Sequence, residues 1–129
     1  MHEILRQGNL HDVADLLMAP ARSGIVLARP FLKRLALDLN LSGSAVVRKQ
    51  FLENLFREAG RAECLPELFA ALIAHARRAI DDYDRLGRRA AMLRRALKHH
   101  RAQAKLLARE LAALRLEAER LRAHKRRTT

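Results

Sequence analysis

The sequence predicts an all-α protein. A compact helical head over residues 1–80 leads into a long basic amphipathic tail over 81–129, which forms a coiled-coil-like helix or a helical hairpin. Three observations predict this. Half of the 129 residues are hydrophobic but only 4% are aromatic, and five Gly and three Pro are the only strong breakers, so helix formers dominate. Apolar residues recur at steps of three and four, the spacing of one helix face. Charge is segregated: residues 1–87 carry twelve Lys/Arg against eleven Asp/Glu, whereas residues 88–129 carry fourteen against Glu110, Glu117 and Glu119 alone.

Each element follows from local signals. Asn9 offers an N-cap with Asp12 three residues on, and Leu10, Val13, Ala14 and Leu17 share the face of a first helix. Pro20 and Gly24 break it, and Ile25 to Arg29 reads as extended because Arg29 precedes a proline. Pro30 suits the first turn of a second helix with Phe31, Leu32, Leu35, Ala36 and Leu39 inward. Asn40 to Ser44 is a turn, with Ser42 or Ser44 as the next cap. A third helix runs to about Ala59 with Val47, Phe51, Leu52, Leu55 and Phe56 inward, and Gly60 supplies its left-handed stop. Pro66 opens the last helical stretch, in which Gly87 is the one strong breaker. That stretch either continues to about Arg126 or turns within Asp81–Gly87.

A single apolar stripe runs through the last stretch. It includes Leu86, Leu93, Leu97, Leu107, Leu111, Leu114 and Leu121, with Ala90, Ala104 and Ala118 at intervening positions. This 3–4 pattern holds one face toward another helix. That helix belongs to a second copy, to the protein's own head or to a partner protein. In a parallel homodimer Glu110 would meet Arg115, and Glu117 would meet Arg122, across the seam.

The net charge of +12 lies on a basic face of Arg88, Arg89, Arg94, Arg95, Lys98, Arg101, Lys105 and Arg109, joined by Lys125 to Arg127. A near-neutral head with a basic tail implies an acidic partner or a solvated helix surface. Residues 88–129 have no aromatic residue, which argues against base stacking on single strands there, and the tail lacks the Trp and Phe anchors expected at a membrane surface. Duplex or structured RNA backbones stay open. Met1–Gly8 holds no signal core and the longest apolar run, Leu68–Ala74, is too short to span a bilayer. With a single cysteine, Cys64, the expectation is a cytoplasmic protein without disulfides.

Nothing in the sequence assembles an active site. The six histidines, His2, His11, His75, His99, His100 and His124, form no metal-ligand spacing with one another, with Cys64 or with carboxylates. Asp81, Asp82 and Asp84 have basic neighbours four residues away and read as a solvated, salt-bridged face. No phosphate-binding Gly loop is present. The expectation is therefore a non-enzymatic chain with no metal, cofactor or small-molecule substrate. It would act as an adaptor or assembly subunit through a protein partner or a homodimer, with nucleic-acid binding as the alternative.

Two segments carry resemblances. LALDLNLSGSAVVRKQF, residues 35–51, resembles a helix-turn-helix, with Ala36 as the small residue of the first helix, Asn40 at the left-handed turn position and Val46 in the core of the second. That resemblance implies that Ser44, Arg48 and Lys49 face a DNA groove, although Lys49 stands where the pattern has an apolar residue. FLKRLALDLNL followed by VVRKQFLENLFREAGRAECLPELFAAL, within residues 31–72, resembles bacterial death-fold-like effector-associated domains. This implies a helical adaptor that recruits components by like-with-like contact.

Overall fold

The computed structural model describes residues 7–128, with side chains described for 10–127. The start of the chain, read above for a signal core, lies outside the described residues up to residue 6. Six helices and no strand are found among the described residues: α1 (Gln7–Leu17), α2 (Pro20–Ser23), α3 (Arg29–Asp38), α4 (Arg48–Arg61), α5 (Leu65–Arg89) and α6 (Ala91–Thr128). The all-α expectation holds, and the last stretch is a hairpin. Its corner is Ala90 in an extended conformation (φ −137°, ψ 93°), not Asp81–Gly87. α5 runs straight through Gly87, so one glycine does not stop a helix that packs along its length.

Several helix ends differ from the sequence expectation. α1 already includes Asn9, which therefore does not cap it; the Asn9 side chain lies outside the described residues. Neither Ser42 nor Ser44 caps α4. Its N-cap is Val47, with no side-chain hydrogen bond, because Ser42 is turned toward the Glu58 carboxylate instead. α3 ends as the turn chemistry predicts. Asn40 is left-handed (φ 56°), and the amides of Asn40 and Leu41 return to Leu37 and Ala36 at 3.1 and 2.8 Å, the two bonds of a Schellman motif. α4 ends in the same way, but the left-handed residue is Glu63 (φ 60°), not Gly60, and the Cys64 amide reaches Ala59 O at 2.9 Å. A glutamate in that conformation costs roughly 1 kcal/mol relative to glycine. The contacts of Glu63 with α6 offset it: its carboxylate lies 2.9 Å from Lys125 Nζ, and its carbonyl accepts from Arg122.

The core is one cluster. It joins Leu10, Ala14 and Leu17 of α1, Leu32 and Leu35 of α3, Phe51, Leu52, Leu55 and Phe56 of α4, Leu68, Phe69, Leu72 and Ile73 of α5, and Ala104, Leu107, Leu111 and Ala118 of α6. Residues on both sides of the 80/81 boundary thus share the same buried volume. α5 and α6 are antiparallel and make the most extensive helix–helix contact, and α6 also touches α2.

That second contact is made by backbone. Gly24 closes α2 in a left-handed conformation (φ 76°), and a Cβ on it would lie 2.3 Å from His100 O and 2.6 Å from Ala104 N of α6. The chain then passes along the core outside any helix, with Ile25 and Leu27 each 1% exposed and Val26 facing out. Outside a ladder the carbonyls of this segment need other partners, and four side chains provide them. Tyr83 donates to Gly24 O (2.6 Å), Ser23 Oγ to Ile25 O (3.2 Å) and Arg48 to Leu27 O (2.9 Å), while His75 Nε2 bonds Val26 O (2.9 Å). Gly24→Ala introduces both a strained φ and a clash with backbone that cannot rotate away. It is expected to lower stability by about 2–4 kcal/mol in urea unfolding, whereas Gly60→Ala, whose Cβ would meet only Leu65 Cδ1 at 3.9 Å, should be neutral or stabilising.

Candidate nucleic-acid interface: a basic helical arm

The head reaches along the hairpin as far as Tyr83 on α5 and His100 on α6, whose rings stack at 6.3 Å between centroids. Beyond them, residues 84–99 form an arm whose side chains are mostly exposed. Two bonds hold its helices together: the Arg101–Asp84 ion pair at its base (2.5 Å) and an Arg94 contact to Gly87 O (3.4 Å). Between Asp84 and Glu110 there is no carboxylate, while the same interval holds nine Lys/Arg.

The arm gathers most of the expected basic face. Arg88, Arg89, Arg94, Arg95 and Lys98 are exposed, as are Lys105 and Arg109 further along α6. Among the described residues, Arg88, Arg89, Arg95 and Lys98 make no ion pair. Arg101 is half-buried and committed to Asp84. Arg94, Lys98, Arg101 and Lys105 follow 4-3-4 spacing along one face of α6 that flanks the buried Ala104, Leu107 and Leu111, and Arg94 and Arg101 reach from it to Gly87 and Asp84 of α5. Arg88 of α5 and Arg94, Arg95 and Lys98 of α6 line an open groove of about 550 Å³ whose floor includes Tyr83, Gly87 and Leu97. Asp84 also lines the groove but is paired with Arg101, and the positive charge in excess of it lowers the energy of an anion placed there.

The apolar stripe divides in two. Leu107 and Leu111 are 2% and 1% exposed against α5 and the head, with Leu114 and Leu121 half-buried beside them. Leu97 is half-buried, and Leu86 and Leu93 on the arm are exposed at 46% and 42%. Arg122, matched above with Glu117 of a second copy, instead bonds Glu67 of its own chain at 2.7 Å, and Arg115 pairs with Glu119.

Of the three residues implied as DNA-reading, Ser44 lies in the 39–47 connection ahead of α4. Arg48 is exposed but donates to Leu27 O, and Lys49 bridges to Asp15 at 2.6 Å. Ala36 is buried, whereas Val46 is 91% exposed. Arg29 holds that connection by donating to Ala45 O (2.8 Å) and to Val46 O.

Two features had no clear sequence signal. His11 and Asp15 of α1 meet Lys49 and Glu53 of α4 in a charged cluster, next to an open pocket of about 360 Å³ between the two helices; nothing local in the sequence pairs α1 with α4. The second is Met92 at the arm's end, 88% exposed, inside the run Arg88-Arg89-Ala90-Ala91-Met92-Leu93-Arg94-Arg95. That run was legible, but only the corner at Ala90 gives it meaning. Burial raises the Cys64 thiol pKa, which disfavours the reactive thiolate. Among the described residues no group of His, Cys, Asp or Glu could hold a metal ion, and no helix is long and apolar enough to cross a membrane. Comparison with protein-family models, with curated proteins and with solved structures gives no match for the chain.

Three carboxylates, one in the turn before α5 and two on α5, tie α6 down. Hydrogen bonds from Lys125, Arg122 and Arg101 hold the pKa values of Glu63, Glu67 and Asp84, respectively, below the ordinary carboxylate values. Groups whose pKa is lowered by folding stabilise the fold above their unfolded pKa and stop doing so as pH falls through the folded value. The melting temperature should therefore fall between about pH 5 and pH 3, and fall less steeply in Arg122→Gln/Lys125→Gln. Equal pH dependence in the two proteins would place the acid sensitivity elsewhere.

Proposed function

We propose that this protein is a non-enzymatic helical binding module whose basic arm grips the sugar–phosphate backbone of a duplex nucleic acid. One observation carries the reading: an arm that extends past the folded head and bears six cations, with three more following on α6 as Arg101, Lys105 and Arg109, and no acid between Asp84 and Glu110. Arg94 to Arg109 span roughly 22 Å of α6 at 1.5 Å per residue, enough to follow several phosphates. The absence of aromatics on the arm fits backbone contact rather than base stacking. The head's role is to hold the hairpin rigidly at one end, and the lone cysteine Cys64 fits action in the cytoplasm.

A second reading is a protein adaptor, favoured by the exposed Leu86, Met92 and Leu93. On that reading the arm inserts into an acidic partner that has an apolar pocket. Salt separates the two. Binding to random-sequence duplex DNA, followed by fluorescence anisotropy, should fall linearly in log–log form with salt concentration, because each neutralised phosphate releases counterions at a slope of about −0.9 per contact. Arg88→Gln/Arg94→Gln/Arg95→Gln/Lys98→Gln should flatten that slope by about 3 to 4 with helicity unchanged. An unaltered slope, or no binding of the duplex by the native chain, would sink the nucleic-acid reading.

A further inference from the structure

We infer that Met92 is an apolar wedge: the end of the arm inserts it into a base step of the bound duplex, kinking the duplex while the flanking arginines hold phosphates on either side. This rests on the nucleic-acid reading above and adds to it what the arm does to its ligand. Met92 is 88% exposed at the outermost turn of the hairpin, immediately past the Ala90 corner, and the neighbouring Leu86 and Leu93 are exposed at 46% and 42%. The side chain packs against nothing that would explain an apolar residue there. Its surroundings are cationic on both sides of the corner, Arg88 and Arg89 ending α5 and Arg94 and Arg95 in the first turns of α6.

That arrangement selects its occupant by charge complementarity. An unpartnered apolar tip framed by two arginine pairs fits an apolar surface framed by anions. A base step between phosphates is such a surface, and apolar side chains of this size open base steps when neighbouring contacts to the backbone compensate for the lost stacking. A second copy of the arm would bring arginine against arginine. A lipid surface would engage the tip, but the cations continue along α6 through Lys98, Lys105 and Arg109, a line of charge that follows a strand and leaves a flat surface after the first turns. Met is also suited to the role, since its unbranched side chain adapts to an irregular gap. A kink is easiest at flexible pyrimidine–purine steps and at mismatches, where stacking is already weak.

The test uses the full chain and DNA duplexes of about 20 base pairs labelled at their ends with a donor and an acceptor dye. One has a matched centre, the other a central mismatch. Anisotropy reports binding and energy transfer reports bending on the same sample. At saturation the native protein should raise the transfer efficiency, and it should bind the mismatched duplex about tenfold more tightly than the matched one, the discrimination expected where unstacking is part of binding. Met92→Gln, exposed and therefore without consequence for the fold, should keep affinity for the matched duplex within about threefold, because the phosphate contacts remain. It should lose both the bend and the mismatch preference. Binding with no bend, or bending unchanged in Met92→Gln, overturns the wedge and leaves the backbone-binding reading intact. No binding to either duplex overturns both. Unbent duplex together with Met92-dependent binding to phosphatidylserine vesicles also overturns the wedge and assigns the tip to a membrane.

Discussion

The backbone of Gly24 lies against the backbone of α6 with no room for a side-chain carbon between them, and much of the rest of the structure depends on that contact. A non-helical segment packed along an all-helical core has no ladder in which to bond its carbonyls. Here Tyr83, Ser23, His75 and Arg48 each take one of them. Two of the four donors stand on α5, so the segment is fixed relative to α5 before α6 is considered. α6 then covers it, and Ala104, 0% exposed, is small because a backbone rather than a side chain is its neighbour.

From that seat the division of the hairpin follows. On the head side of the Tyr83–His100 stack, the apolar face of α6 is consumed by α5 and the core, and Glu63 and Glu67 pair with Lys125 and Arg122 of α6. On the other side Asp84, paired with Arg101 at the base of the arm, is the one acid, and most side chains are exposed. The cations of 88–98 stay uncompensated and the apolar residues of the tip stay in water. The same helix is thus a structural element over one part of its length and a charged probe over the other, and a stack of two rings marks the transition. The proposed function rests on this end of the hairpin, an exposed patch of one charge with apolar residues at its tip.

Much of this was legible in the sequence, and the gaps have physical causes. The apolar spacing located α1, α3, α4 and α5, and Asn40 announced its left-handed turn because few residues adopt that conformation cheaply. α2 is four residues long and too short for any periodicity. The sequence points to Gly60 as the α4 stop and the structure has Glu63, because the compensation for a left-handed glutamate comes from Arg122 and Lys125, some sixty residues away. The corner at Ala90 carries no breaker; its sequence favours a continuous helix, and tertiary packing of α6 on Gly24 overrides that preference. For the site, the cations could be read directly and so could the stripe, whereas the partner of the stripe could not. A 3–4 apolar pattern specifies that a helix will be covered and says nothing of which chain covers it.

The account stands on α6 completing the core instead of trailing from it. A chain ending at Arg89 keeps every head helix, all of α5 and the Tyr83 bond to Gly24, and loses only what α6 buries. Its thermal unfolding, followed by circular dichroism at 222 nm, tests the claim most directly. The account predicts a broad, non-cooperative loss of helicity, since Ala104, Leu107, Leu111 and Ala118 are removed from one continuous cluster and each large side chain lost from such a core costs roughly 2–5 kcal/mol. A sharp transition within a few degrees of the full-length protein would contradict it and show that the head folds on its own.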